Sequence, residues 1–333
     1  MRLSGHPIAP WFLERVSQAR SIALMTHVGP DADGLGSQIA FALAARRAGK
    51  QVCIVNEDPL PPRYAWLDPE RVVGGFDQHV GRLAGVDLGL IFDAHEPQRA
   101  DRPAAWLRER GVDVWVVDHH HVAPTLDVTG VVATGFSSSG ELVYRLLQAL
   151  GWPVDAQVAL GLYAAISFDT GSFRFLRNQG DTLRVAAELL DTGLDTNPIQ
   201  EALWASRPRD EVVLLGRILA QTRFTAGGRV AYAALDASIQ DGLDVAPDAI
   251  GETIPTLVGI EGVQVAMMLK PSRHPGEWKL SLRSKAMTPI GQVARRRGGG
   301  GHDHAAGATL TGDLMTLCGE LLVEIEAELP PQP

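Results

Sequence analysis

Short apolar runs and longer segments of helical period alternate through the first half of the chain. The runs SIALMTH (21–27), QVCIVN (51–56), LGLIFDAH (88–95) and VDVWVVDHHH (112–121) place apolar residues at successive positions rather than at every second one. Strands covered on both faces have this pattern. The first run ends near His27, the third at Asp93 and the fourth at Asp118. SQIAFALAARRAGK (37–50) has helical spacing and closes at Gly49. Residues 138–151 start with Ser before the apolar repeat and end with Gly after it, a helix with both stops in place. DAQVALGLYAAISF (155–168) is a long apolar helix that runs into the polar turn DTGSFRF. Strands alternating with helices predict an α/β fold, a parallel sheet with helices on both faces.

The pattern changes after residues 191–210, which are rich in turn formers and end in a Pro-containing stretch with a helical piece in it. GRVAYAAL (228–235), VQVAMMLK (263–270) and WKLSLRS (278–284) are strands of a separate small sheet. PIGQVARRR (289–297) and LMTLCGELLVEIEAEL (314–329) are helices packing on it. The expected organisation is a first domain over residues 1–193, a linker region over 194–215 and a smaller α/β domain over 216–330. No internal repeat is visible, and the tail PPQP is expected to fray.

Composition narrows the function. A length of 333 residues accommodates two domains, and 45% hydrophobic with 21% charged residues is ordinary for a soluble globular protein. A net charge of −9 disfavours long duplex DNA and anionic membranes, though not a small anion in a local cationic pocket. Two cysteines, Cys53 and Cys318, make neither a disulfide framework nor a zinc-like pair. The first residues lack an apolar signal core, and no apolar run reaches about 18 residues, so a cytoplasmic location and no membrane partner are expected.

Ligands of open parallel sheets bind at the carboxyl ends of the strands. His27 with Asp31 and Asp33, then Asp93, then Asp118 with His119, His120 and His121 all fall there, and Asp169 follows a helix. A lone Asp after a strand is usually a cap or turn former. Together these residues offer imidazole nitrogens and carboxylate oxygens at one sheet edge, a donor set suited to Mn²⁺ or a similar divalent ion. Two rival motifs fail on THVGPDADGLGS (26–37). An EF-hand loop needs an oxygen ligand where Leu35 stands, and a dinucleotide fingerprint needs Gly where Ile39 stands. Gly34 and Gly36 are expected to let the backbone turn tightly and start the helix.

HVGPDADGLGS (27–37), Asp93 in LIFDAHEPQR, VDHHH (117–121) and ISFDTGSFR (166–174) resemble the four signature motifs of the DHH phosphoesterase family. GGGGHDHAAG (298–307) resembles the hallmark of the first type of DHH-associated domain. The resemblance spans about residues 15–325. Size and domain pairing are similar to the oligoribonuclease/pAp-phosphatase branch and to cyclic-di-AMP phosphodiesterases. Val28 and Gly29 depart from the more usual Asn-Pro of the first motif.

The resemblance implies two metal ions, Mn²⁺ with Mg²⁺ or Co²⁺ as substitutes. His27 and Asp31 would hold the first, Asp33, His119 and Asp169 the second, and Asp93 would bridge them. A water activated by the pair would attack phosphorus in line, with no Ser or Cys nucleophile. Asp118 would orient a histidine, and His120 would contact the scissile phosphate or leaving oxygen. His121 has a structural reading beside a functional one. His95 is open between a supporting role and none, and Arg99 between meeting a substrate phosphate and lying in solvent. Ser172 and Arg174 could shape the site mouth, and Arg174 could equally stabilise the linker or a dimer.

The glycine-rich stretch has a bland reading as a flexible linker. Its setting between apolar periodic segments and the small residues Ala305, Ala306 and Gly307 favour a built backbone cradle. Gly299, Gly300 and Gly301 would let N–H groups approach phosphate oxygens, with His302 as a further donor. Arg283 and Ser284 would join them in gripping the substrate, in a cleft between the domains that holds the active site. Arg295, Arg296 and Arg297 could instead be an ordinary charged helix end.

The expected activity is hydrolysis of short single-stranded RNA or DNA oligonucleotides, including the dinucleotide pApA, to 5′-mononucleotides, with 3′-phosphate removal from pAp as a second activity. The family also suggests a homodimer. A cyclic-di-AMP phosphodiesterase has the same motifs. A nucleotide-binding regulator without catalysis is disfavoured by the intact ligand set. A 5′–3′ single-strand exonuclease is disfavoured by the acidic charge and the lack of a stacking platform.

Overall fold

The structure, a computed structural model, describes residues 8–120, 129–178, 180–245, 249–272, 274–285 and 288–331. The chain divides into two compact units between Ser206 and Arg207.

The first unit is built on six strands: β1 (Ser21–Thr26), β2 (Gln51–Asn56), β3 (Val73–Gly75), β4 (Leu88–Phe92), β5 (Asp113–Asp118) and β6 (Gly130–Val132). They lie in the order β3-β2-β1-β4-β5-β6, and every neighbouring pair is parallel. The helices are α1 (Pro10–Gln18), α2 (Ala32–Arg47), α3 (Phe76–His79), α4 (Asp101–Arg108), α5 (Ser139–Leu150), α6 (Ala156–Asp169), α7 (Asp181–Leu190) and α8 (Asn197–Gln200). The unbroken apolar runs have a direct cause. Along β1, Ile22 and Leu24 enter one core, while Ala23 and Met25 enter the core on the opposite face.

The second unit holds a mixed sheet in the order β11-β12-β10-β9-β8-β7. Its strands are β7 (Arg223–Thr225), β8 (Val230–Ala234), β9 (Val265–Pro271), β10 (Glu277–Ser284), β11 (Gly300–His302) and β12 (Ala305–Thr311). Among the described residues the β8–β9 pair is parallel and the other pairs of this sheet are antiparallel. Its helices are α9 (Arg209–Gln221), α10 (Ile254–Val258), α11 (Gly291–Arg296) and α12 (Leu314–Glu328). Alternation recurs here, with Val265, Met267 and Leu269 in one cluster and Ala266 and Met268 in another.

Two expectations need correction. Helix α2 begins at Ala32, so Gly34 and Gly36 lie inside its first turns and do not form a turn before it. Their role is close approach. A Cβ on Gly34 would fall 2.2 Å from Thr26 Oγ1, and one on Gly36 would fall 2.3 Å from the Gly161 carbonyl oxygen. Asp169 is the last residue of α6 rather than a residue beyond it. The glycine-rich stretch is an antiparallel hairpin of β11 and β12. The hairpin itself requires two of its glycines, since a Cβ on Gly299 would meet Gly307 O at 2.1 Å and one on Gly301 would meet Ala305 O at 2.5 Å.

Candidate metal centre

The strand order reverses direction between β1 and β4, the place where an open parallel sheet forms a crevice at its carboxyl edge. The end of β1 is tied to both neighbours. Thr26 Oγ1 donates to Phe92 O at 2.9 Å, and Thr26 N–H donates to Asn56 Oδ1 at 3.1 Å. His27 follows β1, Asp31 caps α2, and Asp33 lies in that helix's first turn. Asp93 follows β4, and Asp118 closes β5.

Asp93 has φ 61°, a left-handed conformation that costs a non-glycine residue about 1–2 kcal/mol. Its N–H donates to Val117 O at 3.0 Å, which holds the turn. The carboxylate then faces both halves of the site. Oδ2 lies 3.6 Å from His27 Nε2, and Oδ1 lies 3.6 Å from His119 Nε2. His27 Nε2 is also 3.8 Å from Asp31 Oδ2. His119 Nε2 is 3.6 Å from Asp33 Oδ2 and 3.4 Å from Asp169 Oδ2. The sequence-predicted ligands therefore converge as His27, Asp31 and Asp93 on one side and Asp33, His119 and Asp169 on the other.

Both histidines present the same nitrogen inward. His27 Nδ1 is 3.0 Å from Val28 O, and His119 Nδ1 is 3.3 Å from Phe136 O. A carbonyl accepts, so each Nδ1 carries the proton and each Nε2 offers a lone pair. Burial, and then the charge of His120, push the His119 pKa down to about 3, so the ring is neutral. Its buried Nε2 has no hydrogen-bond partner. A neutral imidazole lone pair aimed at three carboxylates is repulsive unless a cation sits among them. The separations are too long for hydrogen bonds and suit donors that share one ion with bonds of about 2 Å. The residues fit a pair of divalent ions.

The carboxylates show the same need. Burial, then Asp93, Asp169 and Asp31, push the Asp33 carboxyl well above the ordinary value. Burial, then Asp31, Asp118 and Asp169, do the same to Asp93. Asp169, whose side chain is 29% exposed, is pushed up to about 6 by burial, with Asp31 raising it further against His120 and Arg177. Asp118 is the exception. Burial alone would raise it, but hydrogen bonds from His120 and His95 outweigh that and hold it well below the carboxylate range.

Some of the machinery had no signal in the motifs. Ser139 N–H donates to Asp33 Oδ2 at 2.8 Å, Gly140 N–H to Asp33 Oδ1 at 2.9 Å, and Ser139 Oγ to Asp93 Oδ1 at 3.0 Å. The N-terminus of α5 thus receives Asp33. Arg177 Nη1 lies 3.4 Å from His119 O, and the Arg177 backbone N–H donates to Ser137 Oγ at 3.0 Å.

Arg99 is exposed. Its carbonyl accepts from Val28 N–H at 2.8 Å. Ser172 Oγ donates to Gln200 Oε1 at 3.2 Å, and Arg174 Nε to Gly171 O at 2.6 Å, so both are engaged within their own surroundings. In the second unit Arg283 Nη1 donates to Leu282 O at 3.0 Å, and Ser284 Oγ is 3.1 Å from His304 Nδ1. Arg295, Arg296 and Arg297 pair with Asp303, Glu328 and Glu320. His121 lies outside the described residues.

A family model described as the DHH family, N-terminal domain, matches residues 21–166, and one described as the DHHA1 domain matches residues 227–326. A protein of Thermus thermophilus named bifunctional oligoribonuclease and PAP phosphatase NrnA is 31% identical over 311 residues, covering 92% of this chain and 90% of that one. The chain belongs to the DHH family. A Bacillus subtilis protein of the same name is 25% identical, over 92% of this DHH chain and 98% of its own length. Among solved structures, an exopolyphosphatase-related protein from Bacteroides fragilis superposes with TM-score 0.88 at 20% identity, over 97% and 98% of the two chains. RecJ from Thermus thermophilus, solved in complex with Mn²⁺, gives 0.55 at 18% identity, over 98% of this chain and 55% of its own. Both structural likenesses concern the fold. Among the described residues, no helix is long and apolar enough to cross a membrane.

Proposed function

We propose that this DHH protein is a Mn²⁺-dependent phosphodiesterase that hydrolyses short oligonucleotides such as pApA to 5′-mononucleotides and also removes the 3′-phosphate from pAp. The observation that carries the reading is the shared carboxylate of Asp93, each of whose oxygens faces a different imidazole Nε2 at 3.6 Å. The substrate class is supported by the names of the oligoribonuclease relatives, which align with nearly the whole chain.

His27, Asp31 and Asp93 would hold one ion, and Asp33, Asp93, His119 and Asp169 the other. Bound there, the ions supply positive charge for a phosphate and lower the pKa of water. The chain's own residues do the rest. Ser139 and Gly140 fix the Asp33 and Asp93 oxygens so that the site need not reorganise. Phe136 O and Val28 O fix the ring orientations of His119 and His27. Asp118 sets the tautomer of His120, which is proposed to contact the scissile phosphate or leaving oxygen. Arg99, Arg283, Ser284, Gly299, Gly300, Gly301 and His302 are proposed to bind the remainder of the substrate.

The test is a side-by-side Mn²⁺ assay on pApA, a 5-mer RNA, a 20-mer RNA, pAp and cyclic-di-AMP, with products separated by chromatography. Fast cleavage of pApA and the 5-mer, abolished by chelation, is expected. Comparable turnover of the 20-mer would refute the preference for short chains. A dominant rate on cyclic-di-AMP would reassign the substrate, and no turnover on any would overturn the reading.

A further inference from the structure

The carboxylate of Asp118 is completely buried and serves two imidazoles, one on each oxygen. Oδ1 lies 2.7 Å from His120 Nδ1 and accepts from the backbone N–H groups of His119 and His120 at 2.8 and 3.2 Å. Oδ2 lies 2.7 Å from Nδ1 of His95. A carboxylate ion only accepts, so both histidines donate through Nδ1–H. His95 lies two residues beyond Asp93, with a side chain 15% exposed. Among the described residues it belongs to none of the clusters that could hold an ion, and the two-ion arrangement does not use it.

The carboxylate has three donors on Oδ1 and the His95 ring on Oδ2. With both oxygens engaged by imidazoles it has one pose. Removing the His95 ring would leave a buried oxygen without a donor, which is unfavourable. The carboxylate would relieve that cost by rotating, and the His120 ring hydrogen-bonded to it would follow. His120 touches the site directly, since its Nδ1 is 3.5 Å from Asp93 Oδ1.

We infer that His95 is a positioning residue for His120, acting through Asp118 to hold one orientation and one tautomer of the ring that meets the substrate. The consequence for turnover rests on the phosphodiesterase reading above; the consequence for the ring does not.

The experiment compares His95→Ala, His95→Asn, His120→Ala and the double variant His95→Ala/His120→Ala. It measures kcat and KM on pApA with saturating Mn²⁺, Mn²⁺ affinity by calorimetry, and histidine tautomers by nitrogen NMR on the Mg²⁺ form. His95→Ala is expected to lower kcat about tenfold or more, with KM and Mn²⁺ affinity within about threefold of wild type. His95→Asn, whose amide can donate where Nδ1 stands, is expected to recover most of that loss. The double variant is expected to be no slower than His120→Ala alone, because one residue acts through the other. The His120 ring should hold the Nδ1–H tautomer in the wild type and lose it in His95→Ala. Any of four results would overturn the inference: kcat of His95→Ala within twofold of wild type, equal losses in the Ala and Asn variants, losses that multiply in the double variant, or an unchanged His120 tautomer. If the wild type turns over none of the nucleotides, the proposed function fails and the tautomer measurement alone decides the role of His95.

Discussion

The backbone of Gly36 in α2 lies directly against that of Gly161 in α6: a Cβ on Gly36 would fall 2.3 Å from Gly161 O, and one on Gly161 would fall 2.7 Å from Gly36 O. This contact brings Asp33, one turn before Gly36, toward Asp169 at the end of α6. Gly140 extends it, since a Cβ there would meet Ala165 Cβ at 2.5 Å. Gly161→Ala is expected to destabilise the protein by about 1–3 kcal/mol, as overpacked cores do. It should also weaken binding of the ion proposed for Asp33 and Asp169. Thermal unfolding with and without Mn²⁺ reads both effects. An Ala variant with wild-type Tm and wild-type metal response would show that the helices have room to separate.

Ser139→Ala removes the hydroxyl that donates to Asp93 Oδ1 but keeps the N–H that donates to Asp33. Loss of such a supporting donor usually weakens metal binding about 10–100-fold. Calorimetric titration with Mn²⁺ is expected to show a change of that size. An unchanged affinity would mean that the left-handed turn at Asp93 orients the carboxylate unaided.

The cluster of candidate ligands was legible in the sequence because several of its members sit where apolar runs end. A buried parallel strand is an unbroken apolar word, and the polar residue that stops it marks the sheet edge where ligands gather. Ser139 and Gly140 were not legible as support for the site. In sequence they read as the start of a capped helix, and Ser138 is indeed its cap. The partner of Ser139 lies 46 residues upstream, and local pattern carries no such information. Gly34 and Gly36 were misjudged for a related reason. Glycine signals either a turn or a close contact, and only the packing partner, Thr26 or Gly161, decides between them. The strands β3, β6, β7 and β11 have three residues each, too short to show a period.

The raised pKa of Asp169 gives the metal-free protein a definite pH response. Its folded value, about 6, exceeds the ordinary 3.8, so the native state binds more protons than the unfolded state between those values. Stability from this group is complete below about pH 4 and is lost as pH rises through about 6. The gap between the two values caps the effect at about 3 kcal/mol. Chemical unfolding of the chelated wild type and of Asp169→Asn across pH 4 to about 7 measures the difference. The wild type is expected to lose stability relative to the Asn variant as pH rises, and a flat difference would contradict the shift. Mn²⁺ should reverse the trend, because ligand binding stabilises the ionised native form.

Asp93→Asn separates charge from shape at the centre of the site. Asparagine tolerates the left-handed conformation at φ 61° better than most residues, so the turn after β4 should survive. The substitution removes a buried carboxylate that Asp31, Asp118 and Asp169 all repel. The metal-free variant is therefore expected to unfold at the wild-type Tm or above it. With Mn²⁺ the order should invert, because the variant has lost the carboxylate shared between the His27 and His119 sides and gains less from the ions. Turnover of pApA is expected to fall at least about a hundredfold. Asp93→Ala should lose the same activity but be less stable than Asp93→Asn, because alanine accepts the left-handed turn less readily. Activity retained in both variants would remove the shared carboxylate from the reaction. A metal-free Tm lowered in both variants would show that repulsion from the neighbouring carboxylates does not strain the fold at Asp93.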